Sequence, residues 1–334
     1  MEDLTVSDMG ERALLRRLRK TFPRLSLAGD DAAELPAELR RPVVTTDSFL
    51  EGSHFFLWWT SPRMLGRRLV EATLSDVAAM GAEPRWSLVS LILPSQTRVG
   101  WLEDLYRGFQ HRSEPVLAGG ETVSGDRLGV TLTVIAEGEG ENENPLLRRS
   151  GLSEGDRLWV TGRVGRALGA PGLIESAGGL FGDELSPRYE ALTSVELEQV
   201  RAFLRPRAHL REGKLLRHMG IRCAIDVSDG VLSEAEHLAV ESGIDTWVDL
   251  DLVPFFDSVR PRPLEAAGAG EDFVLVFGAP AELDLAGEGF TMIGHASEGS
   301  GKLHVTRGGR EIRVTDPGYE HLGRQSGATG ASWS

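Results

Sequence analysis

PRMLGRRLVEATLSDVAAMG, residues 62–81, is the stretch from which the rest of the chain can be read. Proline at the first helical position and Gly81 just past the last apolar residue are the start and stop marks of an α-helix. At helical spacing Leu65, Leu69, Ala72, Asp76 and Met80 share one face, with Arg67 and Glu71 on the far side. Asp76 is out of place in that stripe. A carboxylate among apolar side chains is costly unless a charge or a metal compensates it. A helix that ended sooner would leave Asp76 as a plain cap. The further turn before Gly81 favours the metal.

On either side, strands and helices alternate. Residues 8–20 are predicted helical, with Leu14, Leu15 and Leu18 on one face, and Pro42 to Phe49 forms a strand. Strands at 86–93, 115–118 and 128–136 flank a helix at 99–111. Residues 137–145, EGEGENENP, are charged and rich in Gly and Asn, the best domain boundary in the chain. Beyond it, helices are predicted at 163–177, 195–204, 208–219 and 231–242. Strands are predicted at 158–161, 223–227, 244–250, 272–277, 290–294, 302–306 and 311–315. Mixed elements in both halves predict two α/β (α+β) domains, residues 1–138 and 147–322, with a polar, disordered tail at 323–334.

Composition removes several classes of function. The formal net charge of -14 argues against nucleic acid and anionic membrane surfaces as partners. The acidic start has no apolar signal region, and no apolar run is long enough to span a bilayer. Cys223 is the single cysteine and lies in an apolar run, so it reads as a buried structural thiol in a reducing compartment. A cytoplasmic protein is expected.

Asp76 is one of several acidic clusters in Gly- or Ser/Thr-rich settings. The others are Gly29-Asp30-Asp31, Thr45-Thr46-Asp47, Gly119-Gly120-Glu121-Thr122 and Asp226-Val227-Ser228-Asp229-Gly230, none containing Lys or Arg. Hard oxygen donors at turns and strand ends suit Mg²⁺ shared with substrate phosphates. Each cluster also has a plain reading. Asp30 and Asp31 make an ordinary Asx turn. Ser228 or Asp229 caps the helix that begins at Val231. Paired glycines at 119–120 let a phosphate or metal approach the backbone. Arg148 and Arg149 reach a phosphate or sit in solvent, and His54 is a loop histidine or a ligand. No P-loop, kinase or zinc-protease motif is present.

In order and spacing these runs resemble the thiamine-monophosphate kinase family, of the aminoimidazole ribonucleotide synthase-like superfamily. The resemblance rests on Gly29-Asp30-Asp31-Ala32-Ala33, Thr45-Thr46-Asp47, Gly52-Ser53-His54-Phe55, Leu74-Ser75-Asp76-Val77-Ala78-Ala79-Met80-Gly81-Ala82, Arg149-Ser150-Gly151, Asp226-Val227-Ser228-Asp229-Gly230, Gly270-Glu271-Asp272 and Gly318-Tyr319-Glu320-His321. It implies direct, in-line transfer of the ATP γ-phosphoryl group to thiamine monophosphate, assisted by several Mg²⁺ ions and giving thiamine diphosphate. It implies metal ligands at Asp30, Asp31, Thr45, Thr46, Asp47, Asp76, Glu121, Asp226 and Asp229. ATP contacts map to Gly120, Glu121, Arg149 and Ser228, and substrate contacts to His54, Glu271 and Tyr319. It further implies a homodimer whose N-terminal domains share a β-barrel, and a layered α/β C-terminal domain. This chain departs from the family pattern at Glu121 (usually Asp), Thr73 (usually Asn) and Ala269 (usually Gly). The competing readings are a sister activity of the same fold, aminoimidazole ribonucleotide synthase-like or selenophosphate synthetase-like, and a silent nucleotide- or thiamine-phosphate-binding protein.

Overall fold

Val43, Val44, Thr45 and Thr46 open the first strand, β1 (Pro42–Leu50), with the β-branched side chains that suit a pleated sheet. A computed structural model describes residues 5, 9, 14, 17–18, 20–22, 41–138, 146–179, 192–315 and 317–318. The chain divides into two units. One is Met1–Val77, Ala82–Asn142 and Glu175–Glu190; the other is Ala78–Gly81, Glu143–Ile174 and Ala191–Ser334.

In the first unit β1 is followed by α1 (Pro62–Ala79), β2 (Glu83–Leu93), α2 (Val99–Phe109), β3 (Val116–Ser124) and β4 (Gly129–Glu137). The sheet order is β1-β4-β2-β3, antiparallel except for the parallel β2–β3 pair. Side chains alternate across a strand, so the ladder register sorts them onto two faces. One face carries Thr45, Val134, Ser87 and Leu117 in one row and Asp47, Leu132 and Val89 in the next. The other carries Val44, Thr46, Ser48, Leu50, Leu88, Ile92 and Val123, and it is open.

Two features of this unit go beyond the sequence pattern. Away from the apolar stripe of α1, Arg68, Glu71, Thr73 and Ser75 are all buried. The backbones of α1 and α2 touch where Gly66 meets Gly108; a Cβ on Gly108 would fall 2.2 Å from the Arg63 carbonyl oxygen. The chain after α2 then lays Arg112 on Glu71 as a two-pronged ion pair (2.6 and 2.8 Å), with His111 Nε2 2.5 Å away. The third strand was expected to stop at 118 but continues through Gly119-Gly120-Glu121-Thr122. Gly120 is required there by the sheet itself, because a Cβ would fall 1.8 Å from the Val89 carbonyl oxygen.

The second unit carries β5 (Arg157–Val160), α3 (Ala170–Ser176), α4 (Ser194–Leu204), α5 (Leu210–His218), β6 (Cys223–Asp226), α6 (Val231–Ser242), β7 (Asp245–Asp249), α7 (Pro263–Ala267), β8 (Leu275–Ala279), β9 (Thr291–Ser297), β10 (Leu303–Arg307) and β11 (Arg310–Ile312). Its mixed seven-stranded sheet runs β11-β10-β7-β9-β5-β8-β6. Val231, Leu232, Ala235 and Leu238 of α6 pack with Ile225, Val248, Val276 and Ile293. On a separate core, Leu216 of α5 packs with Trp159, Ala224, Phe277 and Phe290. Helix 163–177 begins only at Ala170, since Gly165 and Gly169 take left-handed conformations (φ 88° and 77°) that no helix continues.

This is the mixed α/β fold expected from the sequence. Among the described residues neither sheet closes on itself. Cys223 is buried, and burial pushes its thiol up to about 12. Among the described residues no helix is long and apolar enough to cross a membrane.

Candidate active-site loci

Strand β1 and helix α1 bring Asp47 and Asp76 together. The Thr45 hydroxyl donates to Asp76 Oδ2 at 2.5 Å. Asp47, one pleat along on the same face, is pushed up to about 6, first by burial and then by the negative charge of Asp76. The Thr73 hydroxyl pulls it part of the way back. Two carboxylates crowded at a half-buried site, with hydroxyls as companions, form an all-oxygen donor set whose repulsion a hard cation relieves. Among the described residues no group of three or more His, Cys, Asp or Glu side chains stands close enough to hold a metal unaided. Asp30 and Asp31 lie outside the described residues, as does Tyr319.

The remaining candidates of this unit are set apart from that pair. The register puts Thr46 opposite Thr133, with the two hydroxyls hydrogen-bonded at 3.0 Å, and Glu121 opposite Ser90, on the open face of the sheet. Glu121 accepts the N–H of Thr122 and is exposed. Asp47 and Asp76 occupy the opposite, covered face. His54 turns back on β1: its Nδ1 accepts the Leu50 N–H at 3.0 Å, which leaves the proton on Nε2. Phe56, Trp58 and Trp59 follow it as a ring cluster, Phe56 tilted against both indoles and the two indoles edge-on to each other.

In the second unit three distant segments converge. The loop after β6 carries Val227, Ser228 and Asp229; Asp226, at the end of β6, is buried. Gly230 takes the N-cap of α6, so neither Ser228 nor Asp229 fills the predicted capping position. Instead Glu234, in the first turn and almost fully buried, reaches back. It accepts the Asp229 N–H at 3.1 Å and the Ser228 hydroxyl at 3.5 Å. The N–H of Glu271 donates to the Ser228 carbonyl at 2.7 Å. A Cβ on Gly318 would fall 2.5 Å from the Asp229 carbonyl oxygen.

Arg149 is exposed but bears on the same place. Both it and Asp229 act on the imidazole of His237, Arg149 lowering its pKa and Asp229 raising it. The Glu234 carboxylate, 3.0 Å from His237 Nδ1, is the larger influence and raises it overall. Glu234 and His237 escaped the sequence reading. An acidic residue in a first helical turn is too common to mark them, and what sets Glu234 apart is its burial. A groove of about 380 Å³ lined by Arg157, Trp247, Met292 and His295 contains none of the candidate residues.

Residues 29–139 match the family model described as AIR synthase related protein, N-terminal domain. The thiamine-monophosphate kinase of Synechococcus elongatus is 32% identical, over 96% of this chain and 99% of that protein. The Escherichia coli thiamine-monophosphate kinase is also 32% identical, over 88% of this chain and 91% of that protein. A solved structure described as AaThiL complexed with AMPPCP and TMP superposes with a TM-score of 0.72 at 27% identity, over 96% of this chain and 99% of that one.

Proposed function

The chain belongs to the thiamine-monophosphate kinase family, and on that premise we infer its reaction: ATP gives its γ-phosphoryl group to thiamine monophosphate, yielding thiamine diphosphate. The observation that carries this reading is the Asp47–Asp76 pair. It is an oxygen-only site whose own electrostatics favour a cation.

Asp47, Asp76 and the Thr45 hydroxyl would hold one Mg²⁺ ion; the family pattern assigns Asp30, Asp31, Thr46, Glu121, Asp226 and Asp229 to further Mg²⁺ ions. Bound there, Mg²⁺ would neutralise the two phosphates and hold them in line. The accepting phosphate oxygen is already ionised, so no side chain has to remove a proton. That agrees with the lack of a nucleophile–base pair among the candidates. Gly120, Glu121, Arg149 and Ser228 contact ATP. His54 donates from Nε2 to the thiamine phosphate, Glu271 pairs with the aminopyrimidine or the cationic ring, and Tyr319 stacks on it.

The protein acts as a cytoplasmic homodimer, with no nucleic acid or membrane partner. Its domains are residues 1–138 and 147–322, and residues 323–334 form a tail. The open face of the first sheet supports the dimer: Val44 is 63%, Val123 47% and Ile92 42% exposed. A second copy laid on that face would bury them and complete a shared barrel. Light scattering tests this; a monomer at micromolar concentration rejects it.

The decisive assay supplies ATP, Mg²⁺ and thiamine monophosphate. Thiamine diphosphate is the expected product, and EDTA is expected to abolish it. No product with Mg²⁺ present removes the reading. Turnover of another acceptor instead would point to a sister activity, and binding without turnover to a silent binder.

A further inference from the structure

Asp272, next to Glu271, is fully buried. Its carboxylate accepts the N–H of Gly165 at 2.7 Å and of Arg166 at 2.9 Å, with Arg166 Nε 3.4 Å away. Gly165, at φ 88°, bends the chain so that successive N–H groups point at one anion. That loop is itself anchored: the Val164 N–H donates to Pro254, and the Val164 carbonyl accepts from Phe256.

The residues on either side of Asp272 are in a conformation that side chains seldom adopt. Glu271 (φ 61°) and Phe273 (φ 49°) are both left-handed and neither is glycine. Such a pair persists only where the surroundings over-determine it. One side of the clamp is backbone. The N–H groups of Glu271, Asp272 and Phe273 donate to the carbonyls of Ser228, Val227 and Val227. Gly270 lies so close that a Cβ would fall 2.1 Å from the Ser228 carbonyl oxygen. The other side is the Asp272 carboxylate. Ser228 and Asp229 have their own support in Glu234.

We propose that Asp272 is a positioning residue: its buried carboxylate, tied to the Gly165 and Arg166 amides, fixes the left-handed turn that aims Glu271 at the thiamine end of the substrate. The inference rests on the kinase reading and on Glu271 as a substrate contact. It divides the labour between two buried carboxylates. Asp272 sets the acceptor side through Glu271, and Glu234 sets the nucleotide side through Ser228.

Asp272→Asn keeps the shape but turns one acceptor into a donor that faces a backbone N–H. Binding of thiamine monophosphate and of a non-hydrolysable ATP analogue is measured by calorimetry, alongside KM and kcat. A misplacement of this kind costs on the order of tenfold to a hundredfold, and here it falls on thiamine monophosphate. ATP analogue affinity stays within about threefold, which is well under 1 kcal/mol. In Glu234→Gln the larger loss falls on the ATP analogue. Unchanged thiamine monophosphate binding in Asp272→Asn, or equal losses for both ligands, overturns the proposal.

If Asp272→Asn does not fold, amide exchange on the unaltered protein decides. Thiamine monophosphate alone is expected to slow exchange at 165–166 and 271–273, and the ATP analogue is not. No such protection overturns the proposal. An unaltered protein that neither binds nor turns over thiamine monophosphate rejects the kinase reading and this inference together. Normal turnover with an unaffected Asp272→Asn rejects only the inference.

Discussion

Asp47 in the first unit and Asp272 in the second both sit near pKa 6, and for both burial is the leading cause. Their company differs. Asp47 faces the like charge of Asp76 and has the Thr73 hydroxyl as its compensation. Asp272 is opposed by the Arg166 guanidinium and two backbone N–H groups, which pull it down from where burial alone would leave it. One carboxylate sits in a site that a cation would complete; the other already has its donors. A raised carboxylate pKa is therefore no sign of a binding site by itself. The neighbours decide between a site and a strut.

Substitution should separate the two most sharply. Asp76→Asn and Asp47→Asn are expected to lower turnover by on the order of a hundredfold or more, as when a preorganised electrostatic group is removed. The metal-free melting temperature of both should hold or rise, because a like-charge contact is relieved. Asp272→Ala should do the reverse to stability. It leaves Arg166 buried beside an empty site, and breaking such a pair costs roughly 3–5 kcal/mol. Near-normal turnover in either Asn variant, or an unchanged melting temperature in Asp272→Ala, would erase the distinction.

Mg²⁺ sharpens it further. Both groups have folded pKa values of about 6 against the ordinary carboxylate value of 3.8. In the metal-free protein each therefore contributes stability that is full below 3.8 and lost as pH rises through 6. Only Asp47 should couple to the metal, which requires the ionised carboxylate. Apparent Mg²⁺ affinity should fall by about tenfold per pH unit below 6, one proton being displaced. Asp272→Asn should leave that slope intact and Asp47→Asn should flatten it. Calorimetric Mg²⁺ titrations at pH 5 and pH 7 would read the difference.

Much of this contrast was legible in the sequence, and the limits have a physical cause. Helix 62–79 announced itself through Pro62, Gly81 and its apolar spacing, and Asp76 stood out because the pattern around it was regular. Asp272 did not stand out. Its partners, Gly165 and Arg166, are more than a hundred residues away in sequence, and no local pattern encodes them. That Thr46 and Glu121 lie on the other face of the sheet from Asp47 is a matter of ladder register, which no local sequence pattern encodes. Gly119-Gly120 read as a phosphate cradle, whereas the close approach of Val89 already accounts for Gly120.

Glu71 is another buried carboxylate and a smaller test. It lies across α1 from the apolar stripe, and Arg112 and His111 close over it. Arg112 keeps about a third of its surface in water, so its charge can turn outward when the partner is lost. Glu71→Gln should then cost about 1–3 kcal/mol, the penalty of an imperfectly satisfied buried group, with turnover retained. A loss as large as that of Asp272→Ala would mean that exposure of the partner does not soften the break.

Asp245 marks the opposite limit from Asp47 and carries the smallest expected effect. Donors surround it: the Lys302 N–H at 2.8 Å, the Ser300 N–H at 2.7 Å and His304 Nε2 at 3.2 Å. They hold its carboxyl down at about 2, with the Lys302 amide as the leading cause. His304 answers in the other direction. Its pKa is raised above 6.5, first by Glu311 at Nδ1 and then by Asp245, and its ring stacks on Trp247 at 4.2 Å. A raised histidine adds stability that is full below 6.5 and lost as pH rises through the folded value. Glu311 is largely exposed, so screening should keep the effect below about 1 kcal/mol. The checkable quantity is the midpoint of the His304 ring resonance by NMR. It should lie above 6.5 in the unaltered protein and move down in Glu311→Gln, with the melting temperature nearly unchanged. A midpoint at or below 6.5 would mean that exposed donors and acceptors do not hold their charges here, and that the contrast drawn from Asp47 belongs to buried groups alone.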